Sequence, residues 1–142
     1  MQIVVGVDGS RSAHDAEGWA AGAARAVGAE LLLVTVVPPD ADTQESERLL
    51  LGDWSRPVQA ARVPFRTEVL IGDPRLVLLD VAASLPTTLV VIGAGDQRWF
   101  PALHLGSTSH YLAQHADQPV AVVPAGHEEF VGGHMVVGID GS

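Results

Sequence analysis

Five short aliphatic runs divide the chain. "IVVGV" (3–7) stops at Asp-Gly-Ser, and "AELLLVTVV" (29–37) stops at Pro38-Pro39. "VPFRTEVLIG" (63–72), "TTLVVIG" (87–93) and "QPVAVVP" (118–124) follow. Each is short and contains at least two Val, which predicts strands, the most apolar of them buried on both faces as in a parallel sheet. The stretches between them change to helical composition. Ser10 or Ser12 can cap a helix over 11–27, whose Ala-rich "AEGWAAGAARAV" ends near Gly28. Pro74 opens a further helix through "RLVLLDVAASL", the third counting that of segment 40–62, and another is expected near 107–116. Segment 40–62 is less regular: "ESERLLLGDW" reads as helix, but Gly52 and Pro57 should break or kink it. "AGHEEFVGG" (125–133) is polar, Gly-containing and aperiodic, and reads as a linker.

Strands alternating with helices specify an α/β domain: a parallel sheet with helices on both faces. Ligands of such sheets bind beyond the carboxyl ends of the strands, where the strand order reverses. The positions to inspect therefore follow strand 1 (Asp8, Gly9, Ser10), strand 2 (Val36, Val37) and strand 4 (Gly93 onward).

Composition removes several function classes. The 142 residues suffice for one domain with a core, and 47% apolar with 18% charged residues suits a globular protein. No apolar run reaches transmembrane length and no basic segment precedes an apolar signal core, so no membrane role and a cytoplasmic location are expected. Without cysteine there are no disulfides, thiol nucleophiles or cysteine metal sites. A net charge of −9 argues against nucleic acid as partner. All eight basic residues are Arg. A phosphate loop of the Walker type and a Schiff-base enzyme both need a Lys, and both are excluded.

The stretch "GAGDQRWFPALHLGSTS" (93–109) carries the most chemical information. It leaves a buried strand, crosses a long loop and enters a helix at Gly-Ser-Thr-Ser. Free backbone N–H groups, hydroxyls and the positive helix end together make an anion site. Ordinary capping by Ser107 or Thr108 is the alternative. The dinucleotide fingerprint fits poorly, because Gly93 and Gly95 are followed by Arg98 where a third Gly belongs. Trp99 and Phe100 either cover the core edge or form a lid or partner contact. Six histidines show no metal-binding pattern; His110 and His115 are five apart and do not share a helix face. Ser10, His14 and Asp8 lack the elbow sequence of a hydrolase nucleophile. No general base or metal-binding carboxylate pair stands out, so no catalytic residue and no metal ligand is assigned.

The chain also repeats itself. "MVVGIDGS" (135–142) aligns with "IVVGVDGS" (3–10) at an offset of 132 residues, identical at six of eight positions. That offset is about one domain length. Residues 134–142 are therefore expected to be the first strand of a second copy, joined to the first through a linker over 127–133.

The opening "VVGVDGS", the second strand "LLLVTVV", "VLIGDP" before the third helix, and "VVIGAGD…LGSTS…PVAVVP" together resemble a universal stress protein domain over residues 1–126. The resemblance implies a Rossmann-like three-layer fold with sheet order 3-2-1-4-5. It further implies dimers paired through the fifth strand, frequent tandem copies and, in many members, ATP binding. The ATP-binding members carry Gly, two residues, Gly, nine residues, then Gly and Ser or Thr. Gly93 and Gly106-Ser107 match at that spacing, while the middle position is Asp96, whose carboxylate opposes a polyanion. A shift of one residue would let Gly95 serve instead.

Carried over by position, Asp8 would contact the adenosine end and Val36 would offer backbone groups to adenine. Gly93 would line the ribose and phosphates, and Gly106, Ser107, Thr108 and Ser109 would hold the phosphates. Asp8 has a plainer alternative as the turn residue of Asp-Gly-Ser. The resemblance implies a regulatory module binding ATP, with or without Mg2+, in stress response. A nucleotide-free scaffold for dimerisation or partner binding is the alternative, and ATP cleavage ranks last.

Overall fold

A computed structural model describes residues 1–95, 107–124 and 126. The strands are β1 (Gln2–Gly6), β2 (Glu30–Val37), β3 (Phe65–Ile71), β4 (Thr87–Gly93) and β5 (Val120–Val123). Helix α1 (Arg11–Val27) follows β1, and α2 (Thr43–Leu51) and α3 (Arg56–Ala61) follow β2. Helix α4 (Pro74–Ser84) follows β3, and α5 (Ser107–His115) precedes β5. All strand pairs are parallel, in the order β3-β2-β1-β4-β5. This is the sheet expected from the sequence.

The pleat sorts the core into two halves. Leu33, Val5, Val91 and Ala121 are register partners across four strands, and they face α1, Leu50 of α2 and Val58 of α3. The neighbouring row, Leu32, Val4, Val90 and Val120, faces Leu78 of α4 and Leu112 of α5. Continuous apolar strands thus result from helices on both faces, giving three layers. Edge strand β3 alternates instead: Arg66 and Glu68 are exposed, while Phe65 and Val69 are half-buried against the α1 side.

Local signals set the helix ends. Ser10 caps α1 by accepting the Ala13 N–H at 3.2 Å, and Gly28 ends it in the left-handed conformation at φ 71°. Segment 40–62 breaks where Gly52 and Pro57 stand. Asp42 caps α2, which stops at Gly52, and a 3-10 turn (Asp53–Ser55) leads into α3. Pro57 sits in the first turn of α3, where its missing N–H leaves no bond unmade. The linker (apart from Gly126), the repeat at 134–142 and the loop residues Asp96, Arg98, Trp99, Phe100 and Gly106 lie outside the described residues.

Candidate functional site

The sheet order reverses at β1, whose neighbours β2 and β4 lead to helices on opposite faces. At the carboxyl ends of these three strands lies a cleft of about 230 Å³. Of the sequence-derived candidates, Asp8, Val36, Gly93, Gly95, Ser107, Thr108 and Ser109 all line it. They come from four separate parts of the chain. Gly106 lies outside the described residues.

The cleft is chemically two-sided. Val34 and Val36 of β2, Pro74 and Leu78 of α4, and Ile92 of β4 supply aliphatic surface. Ser10 and Ser12 at the start of α1, with Ser107, Thr108 and Ser109 at the start of α5, supply hydroxyls. Among the described lining residues Asp8 is the single ionisable side chain.

The turn after β1 is built around Asp8. Its Oδ1 accepts the Ser10 N–H at 2.9 Å, an Asx-type turn that aims the chain into α1. The plainer reading of Asp8 is thus present in the geometry, and the exposed carboxylate also faces the cleft. Behind it, the Thr35 hydroxyl donates to the Val7 carbonyl at 2.7 Å, and the Val7 N–H donates to the Val34 carbonyl at 2.8 Å. These bonds fix the last peptide before Asp8 against β2.

Gly93 has a packing reason to lack a side chain. A Cβ there would lie 2.6 Å from the Ser12 carbonyl carbon and oxygen. Such an approach is closer than real Cβ atoms make, so only glycine lets α1 rest on the end of β4. Two residues on, the Gly95 N–H donates to the Ser12 Oγ at 3.2 Å, with Gly95 at φ 86°. Ser12 is almost fully buried, and its Oγ lies 3.4 Å from that of Ser10. It joins the start of α1 to the start of the loop after β4. In the sequence Ser12 is recognisable only as a possible cap, because nothing local signals a bond spanning 83 residues.

Helix α5 begins at Ser107, so Ser107 and Thr108 occupy its first turn and are half-buried at the cleft. The buried Ser109 hydroxyl donates to the Ala94 carbonyl at 3.3 Å, tying α5 to the end of β4. At the other end of α5, His115 stacks on Tyr111, ring centres 4.2 Å apart. Its Nδ1 lies 2.9 Å from the Tyr111 carbonyl oxygen. Among the described residues no three His, Asp or Glu side chains gather as a metal site. No described helix is long and apolar enough to cross a membrane.

A cleft of aliphatic surface on one side, with hydroxyls and helix-start N–H groups on the other, suits a ligand with an apolar ring and an anionic end. The sequence model of the universal stress protein family matches residues 1–124. Universal stress protein Rv2028c of Mycobacterium tuberculosis is 34% identical over 131 residues, covering 85% of this chain and 47% of that protein. The chain thus spans about half the length of that curated relative. Among solved structures, a universal stress protein in complex with cAMP superposes with a TM-score of 0.75 at 25% identity, covering 88% of this chain and 97% of that one. The universal stress protein from Archaeoglobus fulgidus in complex with dAMP gives 0.69 at 22% identity, covering 87% and 97%.

Proposed function

The chain belongs to the universal stress protein family, and from that premise we propose that it is a regulatory module that binds an adenine nucleotide in the cleft at the end of β1. One observation carries the reading: Asp8, Val36, Gly93 and the Ser107–Ser109 helix start meet in one cleft at the sheet's reversal point. The aliphatic side formed by Val34, Val36 and Leu78 suits the base. The first turn of α5 suits phosphate, through its N–H groups and hydroxyls. The solved relative in complex with cAMP supports the adenine nucleotide class.

ATP is the ligand we assign, taken up with Mg2+. The described lining carries the Asp8 carboxylate and no basic side chain, and the whole chain has a charge of −9. A bare triphosphate would meet that field unfavourably, and a bound magnesium ion offsets part of its charge. Nucleotide occupancy then alters contacts with a partner subunit, either a second copy of this chain or a second repeat in the same polypeptide. The position of β5 at the sheet edge supports pairing there. The site of action is the cytoplasm, in stress response.

Isothermal titration of the intact chain with AMP, with ATP and with ATP plus magnesium tests the reading. Micromolar binding of magnesium-ATP is the expected result. No heat and no thermal stabilisation with any of the three would contradict it, leaving a nucleotide-free interaction scaffold of the same fold.

A further inference from the structure

The turn that carries Asp8 has a second neighbour. Gly9 holds φ +80°, and a Cβ built on it would lie 2.5 Å from Cε2 and Nε1 of Trp54 and 2.9 Å from Cζ2. The indole therefore rests directly against the Gly9 backbone. Asp8 and Ser10, on either side of Gly9, both line the cleft. The turn thus borders the cleft through Asp8 and Ser10 and touches Trp54 through Gly9.

Trp54 is itself held firmly. It lies in the 3-10 turn between α2 and α3 and packs, partly buried, on the α1 side of the core. The Gly52 N–H donates to the Arg48 and Leu49 carbonyls, both at 3.1 Å, and the Ser55 N–H donates to the Gly52 carbonyl at 3.3 Å. The Gln59 amide then ties both ends together, donating to the Leu51 and Gly52 carbonyls at 3.1 Å and to the Ser55 Oγ at 2.7 Å. Ser55 is fully buried. These bonds anchor the backbone that carries the indole, and Gly9 lies in contact with that indole.

We propose that Trp54 is a positioning residue of the cleft: it braces the Asp8–Gly9–Ser10 turn from behind and passes nucleotide occupancy to the α2–α3 segment. This rests on the adenine-nucleotide reading above. A ligand drawing on Asp8 or Ser10 changes the pressure of Gly9 on the indole. The exposed surface of the segment, with Leu51 62% exposed beside the turn, then senses a filled cleft. A brace needs the flat bulk of the ring and not its N–H, so Phe should substitute and Ala should not.

The test is titration of the intact chain, Trp54→Phe and Trp54→Ala with AMP and magnesium-ATP, followed by calorimetry and tryptophan emission, with ligand-free melts as the stability control. Trp54→Phe should keep affinity within about threefold and reduce the ligand-induced emission change, to which Trp19 and Trp99 can also contribute, while Trp54→Ala should lose about tenfold in affinity. Gly9→Ala should weaken binding strongly in the parent and less in the Trp54→Ala background, since the clash is then relieved. Should Trp54→Ala fail to fold, Trp54→Phe and the emission signal still decide. Equal affinity in all variants, or an emission change as large in Trp54→Phe as in the parent, would overturn the brace and leave nucleotide binding standing. No binding by the parent would overturn both.

Discussion

Glu17 is fully buried on α1, and neither carboxylate oxygen has a hydrogen-bond partner. Burial pushes its pKa up to about 9 from an ordinary value of 4.5. In the folded protein the group is neutral near pH 7, whereas in the unfolded chain it ionises above pH 4.5. The unfolded state therefore holds fewer protons across this window, and stability falls as pH rises from about 4.5 to about 9. Glu17→Gln removes the titration. Urea denaturation should show the variant close to the parent at pH 4.5 and more stable by a few kcal/mol at pH 8, the gap growing by up to about 1.4 kcal/mol per pH unit. An equal gap at both pH values would contradict the assignment. The position was legible in outline: Glu17 falls in helical register with Ala13, Ala20 and Ala24, all buried. Register shows that an acid faces the core, but not that it lacks a partner there.

At the scale of elements, the packing of α1 on β4 depends on the missing side chain of Gly93. Gly93→Ala puts a methyl group 2.6 Å from the Ser12 backbone. Backbone cannot rotate away as a side chain can, so α1 must shift from the sheet. A loss of about 1–3 kcal/mol in chemical denaturation is expected, with weaker nucleotide binding because Ser12 and Gly95 move with the helix. Undiminished stability would show that α1 does not rest on Gly93.

The elements themselves were readable from short-range pattern. Continuous apolar runs marked the strands, Ser10 and Gly28 marked the ends of α1, and Gly52 with Pro57 marked the break between α2 and α3. Strand ends ran long in the sequence reading. Val63 and Pro64 precede β3, and Gln118 and Pro119 precede β5, because apolar or flanking residues need not join the ladder. The site was legible as separate strand ends and a helix start. What joins them was not: the Ser12–Gly95 bond and the Trp54–Gly9 contact cross long stretches of chain, and no local pattern encodes them.

At the scale of the whole molecule, the described residues form a cleft where the sheet order reverses. The ends of β1, β2 and β4 and the start of α5 are brought there by topology, so the cleft is a consequence of the fold and not of any one motif. The curated relative is about twice as long as the part this chain matches, and residues 135–142 repeat residues 3–10, which supports the tandem arrangement we propose.

The most direct test of the account locates the ligand on the molecule. Backbone amide shifts of the intact, isotope-labelled chain would be followed during titration with magnesium-ATP. The largest changes should fall together on Asp8, Ser10, Val36, Gly95 and Ser107–Ser109, with smaller ones reaching Trp54. Changes concentrated elsewhere, for instance on the exposed Ile71 and Leu76, or no changes at saturating nucleotide, would contradict it.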